Sequence, residues 1–152
     1  MEIERKYLVA RIPFDLDKYP KKELVQGYIS SNPVLRLRRS TDSYIFTFKN
    51  GESMLEREEF ESPLTKKQFE GLWELVSGST IEKTRYNIPI DNGLIAELDV
   101  YYGRLCGLIT VEVEFTSVEQ ANAFTPLDWF GKDVTNDIRY TNAVLSKQLP
   151  PK

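Results

Sequence analysis

The sequence predicts a mainly β protein of the α+β class, in which eight antiparallel strands close into a barrel and a few helices pack outside it. Three observations support this prediction. The charged faces of the predicted strands are sorted by sign, whereas a face in water usually mixes signs. An amphipathic helix needs a sheet face to cover, and only the apolar strand faces are available. The strand count also matches the roughly eight strands that close a small barrel.

The strands are predicted from alternation with a period of two, because successive side chains of a strand point to opposite faces. Turn signals separate several of them, namely Ser31-Asn32-Pro33, Thr41-Asp42-Ser43, Asn50-Gly51 and Asp91-Asn92-Gly93. We predict one domain over residues 1–152. Its eight strands are predicted at residues 1–9, 24–30, 34–39, 44–49, 54–61, 81–90, 94–101 and 108–115.

The first strand has the clearest charged face. Glu2, Glu4 and Lys6 lie on one side, and Ile3 and Tyr7 lie on the other. Taken alone, such a stripe is also typical of a solvated edge strand. The barrel interpretation becomes favoured because the same pattern recurs in later strands.

The connection at residues 12–23 contains two prolines and predicts an irregular segment with a short helical turn. Gly27, at the centre of the second strand, predicts a bend or bulge. In the third strand, Arg36 and Arg38 share one face. Lys49 belongs to the fourth strand.

A helix is predicted after the fifth strand, with Thr65 as its N-cap. Its apolar residues recur at helical spacing, so one face is expected to pack on the outside of the sheet. Ser77-Gly78-Ser79 is expected to end it. The apolar face comprises Phe69, Leu72, Trp73 and Val76.

The C-terminal part predicts less regular structure. Ser117 and Gln120 form a predicted capping box for a short helix that ends at Phe124. Residues 126–131 predict a compact aromatic turn, and residues 135–148 include a predicted final helix.

Composition excludes several classes of function. The net charge of −3 predicts no general attraction to nucleic acid or anionic membranes. The chain has no histidine, which excludes His metal ligands and Ser-His-Asp triads, and it has no Gly-rich phosphate loop. Cys106, the single cysteine, is expected to be buried and cannot form an internal disulfide. We therefore expect a cytoplasmic protein, with neither signal peptide nor transmembrane helix.

The charged faces leave two architectures open. In an open sandwich they face water, whereas in a closed barrel they line an internal tunnel. A charged tunnel is costly unless its charges are mutually paired or completed by a ligand and metal ions. Carboxylate pairs bind hard divalent cations, and Arg and Lys bind phosphate oxygens. Acids and bases together therefore fit a metal-bound polyphosphate better than either set of charges alone.

At this point the residues resemble those of the CYTH superfamily, the triphosphate tunnel metalloenzymes. The opening Glu2-Ile3-Glu4-Arg5-Lys6 resembles the E-x-E-x-K signature of that family. The tail at residues 134–140 resembles that of short bacterial members. The other matching segments, in order, are Leu35-Arg36-Leu37-Arg38, Phe48-Lys49, Glu58-Glu59-Phe60-Glu61, Glu82-Lys83-Thr84-Arg85-Tyr86, Glu97-Leu98-Asp99 and Val111-Glu112-Val113-Glu114-Phe115.

The resemblance implies a metal-dependent enzyme and assigns roles to individual residues. Lys83, Glu4, Arg38 and Glu97 are the implied catalytic residues, with Lys83 as the proton donor to the leaving phosphate. Tyr28, Arg57, Glu59 and Glu61 are secondary candidates. The implied Mg²⁺ or Mn²⁺ ligands are Glu2, Glu4, Asp99, Glu112 and Glu114. The implied phosphate-binding residues are Lys6, Arg36, Arg38, Lys49, Lys83 and Arg85.

The resemblance also implies a substrate class. Hydrolysis of a small-molecule triphosphate, inorganic tripolyphosphate above all, is the expected reaction. Relatives of the same fold suggest nucleoside or thiamine triphosphates, RNA 5′-triphosphate ends or cyclic AMP formation as alternatives. A polyphosphate-binding module and a purely structural β-domain are the non-enzyme alternatives. The oligomeric state is left open, and a homodimer is one alternative.

Overall fold

The computed structural model describes residues 1–41, 43–51 and 53–152. The turn predicted at residues 41–43 includes Asp42, which lies outside the described residues. No helix in the described part of the chain is long and apolar enough to cross a membrane.

The described chain forms nine strands, three α-helices and four short 3₁₀ turns. The helices are α1 (Lys66–Trp73), α2 (Val118–Ala123) and α3 (Asn142–Leu145). The 3₁₀ turns are Leu16–Lys18, Asp91–Gly93, Gly103–Leu105 and Ile138–Tyr140. The strands are β1 (Glu2–Val9), β2 (Lys21–Ser31), β3 (Val34–Arg39), β4 (Tyr44–Asn50), β5 (Glu56–Pro63), β6 (Ser77–Pro89), β7 (Ile95–Tyr101), β8 (Ile109–Glu114) and β9 (Phe130–Asp133).

Eight of these strands close into an antiparallel barrel, as the alternation predicts. Their order is β5-β4-β3-β2-β6-β7-β8-β1. The barrel closes where β1 pairs with β5, through the partners Glu2–Arg57 and Ile3–Glu56. The other edge of β1 pairs with β8.

The ninth strand was not predicted. It lies where the sequence indicates only a compact turn, and β9 pairs with the second half of β1. The two backbones approach closely at Gly131, where an added Cβ would lie 2.9 Å from the Leu8 carbonyl oxygen. This strand exists because of a long-range backbone contact rather than a local pattern of its own.

The prediction that Ser77-Gly78-Ser79 ends α1 is wrong, because these residues begin β6. Helix α1 ends at Trp73. Ser77 pairs with Tyr28 of β2, and the Ser79 N–H donates to the Ser146 carbonyl at 2.7 Å. Pairing with distant segments therefore extends β6 toward its N-terminus, and a glycine with φ of 76° is accommodated inside it.

The principal hydrophobic core lies outside the barrel. It contains the outward-facing residues of β1, β6, β7 and β8, including Tyr7, Leu98 and Val111. The segment before β2, helix α2 and the residues around Trp129 cover this surface. The apolar strand faces therefore point away from the barrel interior, as the barrel interpretation requires.

Helix α1 packs on the outside of β2, β3 and β4. Thr65 caps it in a capping box with Gln68. A Cβ on Gly27 would lie 2.8 Å from a methyl group of Val76 and 2.9 Å from the Trp73 ring. The pairing register of β2 shifts beside this glycine, so the predicted bulge is confirmed.

Two further local predictions need correction. Ser117 caps α2, but the Gln120 side chain accepts from Thr116 rather than completing the box at Ser117. Cys106, expected to be buried, is exposed because it follows the 3₁₀ turn at the β7–β8 connection.

The C-terminal segment covers one end of the barrel. The final helix predicted within residues 135–148 is α3, and the Ile138–Tyr140 turn precedes it. Ala143 and Leu145 pack against Tyr28, Ile81 and nearby apolar residues at the ends of the barrel strands. The Tyr101 hydroxyl donates to the Asn142 side chain at 2.7 Å. The barrel interior is therefore closed on this side by protein.

Candidate active site

A cavity of about 200 Å³ occupies the barrel interior. Its walls come from the faces that the alternation assigns to the charged residues. The acids with the largest solvent access, such as Glu61 and Glu97, mark its open side. The charged residues that line it are Glu2, Glu4, Lys6, Arg36, Arg38, Lys49, Arg57, Glu59, Glu61, Arg85, Glu97, Glu112 and Glu114.

The charges divide the cavity into two sides, which we call the basic wall (β4, β3, β2 and β6) and the acidic wall (β7, β8, β1 and β5). Strands β4, β3, β2 and β6 are neighbours and carry mainly basic or neutral interior residues. Strands β7, β8, β1 and β5 are neighbours and carry mainly acidic ones. Lys6 on β1 and Arg57 on β5 are the cations of the acidic wall. An anion and its counter-cation can thus be held by opposite sides of one cavity.

The centre of the acidic wall is the carboxylate pair of Glu4 and Glu112. Burial and the Glu112 charge raise the pKa of Glu4 well above its ordinary value. Burial also acts to raise the pKa of Glu112, but Lys6 and Arg85 lower it well below its ordinary value. Lys6 lies 3.6 Å from Glu112. The cations near this pair therefore offset the charge of Glu112 but not that of Glu4.

A second acid, Glu2, lies at the junction of β1 and β5. Its Oε2 accepts a hydrogen bond from Lys49 at 2.9 Å. Its buried Oε1 has no hydrogen-bond partner in the described structure, and Arg57 lies 3.9 Å from it. Burial raises the pKa of Glu2, and Lys49 opposes that effect.

Asp99 is fully buried and already paired. Arg85 donates to both of its carboxylate oxygens, at 2.8 and 2.9 Å, and Lys83 lies 2.8 Å from Oδ2. Burial alone would raise the pKa of Asp99, but these two cations lower it to about 2. Asp99 therefore acts here as the counter-ion of the basic wall.

Lys83 lies beside the cavity rather than on its surface, because its side chain is completely buried. Burial, together with the nearby charges of Arg85 and Arg38, lowers its pKa to about 7 against the opposing effect of Asp99. Its ammonium makes no well-aligned hydrogen bond within the described residues. A pKa close to 7 is the property expected of a group that exchanges a proton at neutral pH.

The basic wall holds its arginines in different ways. Arg36 donates to Thr47 at 3.0 Å and lies 3.5 Å from Glu61. Arg38 donates twice to the amide oxygen of Gln26, at 3.0 and 2.8 Å. Tyr28 lies beside them on the cavity surface, as the sequence suggested.

The structure adds site residues that the sequence analysis missed. Gln26 and Thr47 are uncharged, so the search for charged faces passed over them, although the period of two places both inside. The carbonyl of Tyr140 accepts from the Lys6 ammonium at 2.7 Å. No sequence signal identifies a backbone carbonyl, so that contact required the fold.

The acidic wall fits a hard divalent cation in its chemistry. No group of three or more acidic side chains in the described ranges is already close enough to hold a metal ion. However, the raised pKa of Glu4 beside Glu112 and the unpartnered Oε1 of Glu2 show carboxylate oxygens that lack positive charge. Divalent cations such as Mg²⁺ satisfy such oxygens.

Comparison with known proteins agrees with this geometry. The model of the CYTH domain family matches residues 1–135. The chain is 44% identical to an inorganic triphosphatase of Nitrosomonas europaea, covering 98% of this chain and 99% of that protein. It is 31% identical to an inorganic triphosphatase of Acetivibrio thermocellus, covering 96% and 93%.

Solved structures show the same fold. A crystal structure described as an inorganic triphosphatase superposes with a TM-score of 0.71 at 40% identity, covering 99% of this chain and 97% of the other. A protein from Hippeastrum, described as a putative adenylyl cyclase with a dominant triphosphatase activity, shares the fold with a TM-score of 0.61 at 16% identity, covering 80% and 83%. With its signature on β1, its two-sided charged barrel and these matches along most of its length, the chain belongs to the CYTH domain family.

Proposed function

We propose that this protein hydrolyses a linear triphosphate, inorganic tripolyphosphate in the first place, to pyrophosphate and phosphate with Mg²⁺ or Mn²⁺. The observation that carries the proposal is the cavity itself, which sets a wall of carboxylates against a wall of arginines and lysines. A polyanion with a bound divalent cation complements both walls at once. Relatives that match nearly the whole chain are named inorganic triphosphatases.

The acidic wall would hold the metal. We assign its ligands to the carboxylates near the Glu4–Glu112 pair, and we leave Asp99 outside this set because both its oxygens are occupied. When bound, the metal neutralises phosphate charge and orients or acidifies the attacking water. The proposed ligands are Glu2, Glu4, Glu112 and Glu114.

The basic wall would hold the phosphate chain. Arg36, Arg38 and Arg85 can bind phosphate oxygens in bidentate fashion, and Lys6 and Lys49 act as point charges. Fixed cations stabilise the charge that shifts toward the leaving group during phosphoryl transfer. Glu97, on the open side near Arg85, is the proposed residue for positioning water. Glu59 and Glu61 pair with Lys49 and Arg36 and so orient these cations.

Inorganic tripolyphosphate is preferred to an organic triphosphate because neither tryptophan is among the described residues that line the cavity, where it could stack on a base. Trp129 belongs to the core outside the barrel, and Trp73 packs with Phe69 on α1. The cavity lining consists largely of charged groups. These features match a substrate made of phosphate alone.

The experiment that tests the proposal is phosphate release from tripolyphosphate, ATP and thiamine triphosphate, each with Mg²⁺, Mn²⁺ or EDTA. We expect metal-dependent release that is fastest with tripolyphosphate and is abolished by EDTA. Faster release from ATP or thiamine triphosphate would indicate a different substrate for the same active site. Thermal stabilisation by tripolyphosphate without release from any substrate would indicate a binding module instead.

Lys83 is the proposed proton donor to the leaving phosphate, a role that requires its ammonium to reach the cavity from its buried position beside Asp99. Its lowered pKa suits proton transfer near neutral pH, and a general acid typically contributes about 100-fold or more to the rate. We expect Lys83→Ala to lower kcat by about 100-fold, measured as phosphate release from tripolyphosphate. The exposed Lys132→Ala serves as the control, and near-normal kcat in Lys83→Ala would remove Lys83 from this role.

A further inference from the structure

Arg38 differs from the other cations of the cavity in its protein partner. Lys49 lies 2.9 Å from Glu2, Arg85 lies 2.8 Å from Asp99, and Arg36 lies 3.5 Å from Glu61. Across the described ranges, no carboxylate lies within 4.0 Å of the Arg38 guanidinium. Arg38 thus keeps a positive charge that no neighbouring carboxylate directly offsets.

The partner of Arg38 is a neutral amide. The Nε and Nη2 groups of Arg38 both donate to Gln26 Oε1, at 3.0 and 2.8 Å. Gln26 is completely buried, and its Nε2 donates to the Tyr28 hydroxyl at 3.3 Å. Two guanidinium donors require an acceptor, so they place the amide oxygen, not the nitrogen, toward Arg38.

A neutral acceptor and a carboxylate have different effects on a neighbouring arginine. Both fix the plane of the guanidinium, but a carboxylate also cancels much of its charge for any other anion. Gln26 engages the Nε side of the fork, and the remaining donors of Arg38 stay available to a ligand in the cavity. The basic wall therefore includes an arginine that is held in place with its charge intact.

We infer that Gln26 is a positioning residue that orients Arg38 and preserves its charge for the phosphate chain. The inference rests on the proposed function for the identity of the anion. Gln26 itself does not line the cavity, so it acts through Arg38 rather than on the substrate.

The electrostatics around Arg38 agree with this role. Burial, together with the charges of Arg36 and Arg85, lowers the pKa of Arg38 to about 9. Positive charge is therefore concentrated at this point of the basic wall. A bound polyanion relieves that repulsion, whereas a carboxylate placed at position 26 would relieve it without substrate.

The test replaces the amide by a carboxylate of the same shape, Gln26→Glu. We expect KM for tripolyphosphate to rise about tenfold or more, because each tenfold change is about 1.4 kcal/mol and charged hydrogen bonds reach this size. The thermal midpoint should not fall, since the new carboxylate gains an ion pair with Arg38. The exposed Gln148→Glu is the matched control and should keep the wild-type KM.

A double-mutant cycle with Arg38→Met separates a role through Arg38 from a general effect of added negative charge. If Gln26 acts through Arg38, then Gln26→Glu raises KM much less in the Arg38→Met background than in the wild type. Equal rises in both backgrounds would overturn the inference, and so would a KM of Gln26→Glu within twofold of the wild type.

Two further measurements keep the inference testable when the first assay fails. If Gln26→Glu does not fold, Gln26→Met removes the acceptor without adding charge, and an unchanged KM and kcat in that variant would refute the positioning role. If the wild type releases no phosphate, the proposed function fails, and thermal stabilisation by tripolyphosphate becomes the readout. Equal stabilisation of wild type and Gln26→Glu would then overturn the inference.

Discussion

Glu4→Gln is expected to lower metal-dependent hydrolysis of tripolyphosphate by at least about 100-fold without destabilising the fold. The loss follows from removing a carboxylate that we assign to the metal, whose contribution to phosphoryl transfer is several kcal/mol. Stability is maintained because Glu4 is half-buried beside the Glu112 charge, and the loss of solvent and that charge both raise its pKa. The neutral amide removes that repulsion while keeping the shape of the side chain.

Phosphate release and thermal unfolding of the same samples measure the two effects together. In EDTA, the thermal midpoint of Glu4→Gln should equal or exceed that of the wild type. A raised pKa in the folded state means that the contribution of Glu4 to stability is present at low pH and is lost as pH rises through that pKa. The advantage of Glu4→Gln should therefore grow as the pH is raised.

Glu82→Gln is the matched control for this variant. It makes the same chemical change outside the cavity, because Glu82 is exposed on β6. It should retain wild-type activity and stability. A Glu4→Gln protein with more than a tenth of the wild-type rate would show that Glu4 is not needed to hold the metal.

Arg85→Met is expected to reduce both activity and stability, with a loss of about 3–5 kcal/mol in the free energy of unfolding. Arg85 donates to both oxygens of the fully buried Asp99 and lies 3.2 Å from Glu97. Its removal leaves Asp99 with Lys83 as its remaining cation within the described structure. A buried carboxylate that loses its hydrogen-bonded partner incurs most of its desolvation penalty.

Urea unfolding at neutral and acidic pH measures this effect. The lowered pKa of Asp99 means that its contribution is present above its unfolded pKa of about 3.9 and is lost as pH falls through the folded value of about 2. In Arg85→Met the folded pKa of Asp99 rises toward its unfolded value, so acidification should reduce stability less than it does in the wild type.

Arg139→Met provides the comparison, since Arg139 forms an exposed ion pair with Asp137. Exposed pairs contribute little to stability, so this variant should unfold almost as the wild type does. Equal losses of stability in the two variants would show that the Arg85–Asp99 pair does not support the barrel.

The barrel could be predicted from the sequence because strand parity alone decides which side chains face inward. Glu4 and Arg38 reach the cavity for that reason, whatever their exact partners. Strand β9 and the start of β6 could not be predicted, since both depend on backbone pairing with distant segments. Local patterns carry no information about such contacts.

The sequence predicted which charged residues line the cavity but not which of them pair with one another. Asp99 was expected to bind a metal, and the register sets it opposite Arg85, which donates to both of its oxygens. Gln26 was missed because it carries no charge, and its role depends on lying across from Arg38. Pairing across strands, which fixes such partners, is a property of the fold.

The position of the hydrophobic core has a consequence for how this family can diverge. In most globular proteins the interior supports the fold, and changing it threatens stability. Here the supporting layer surrounds the barrel, so the lumen is free to acquire new chemistry as long as its charges change in compensating pairs. The same outer core can therefore support barrel interiors with different charges. Selection for a new anion can then act on the interior residues alone.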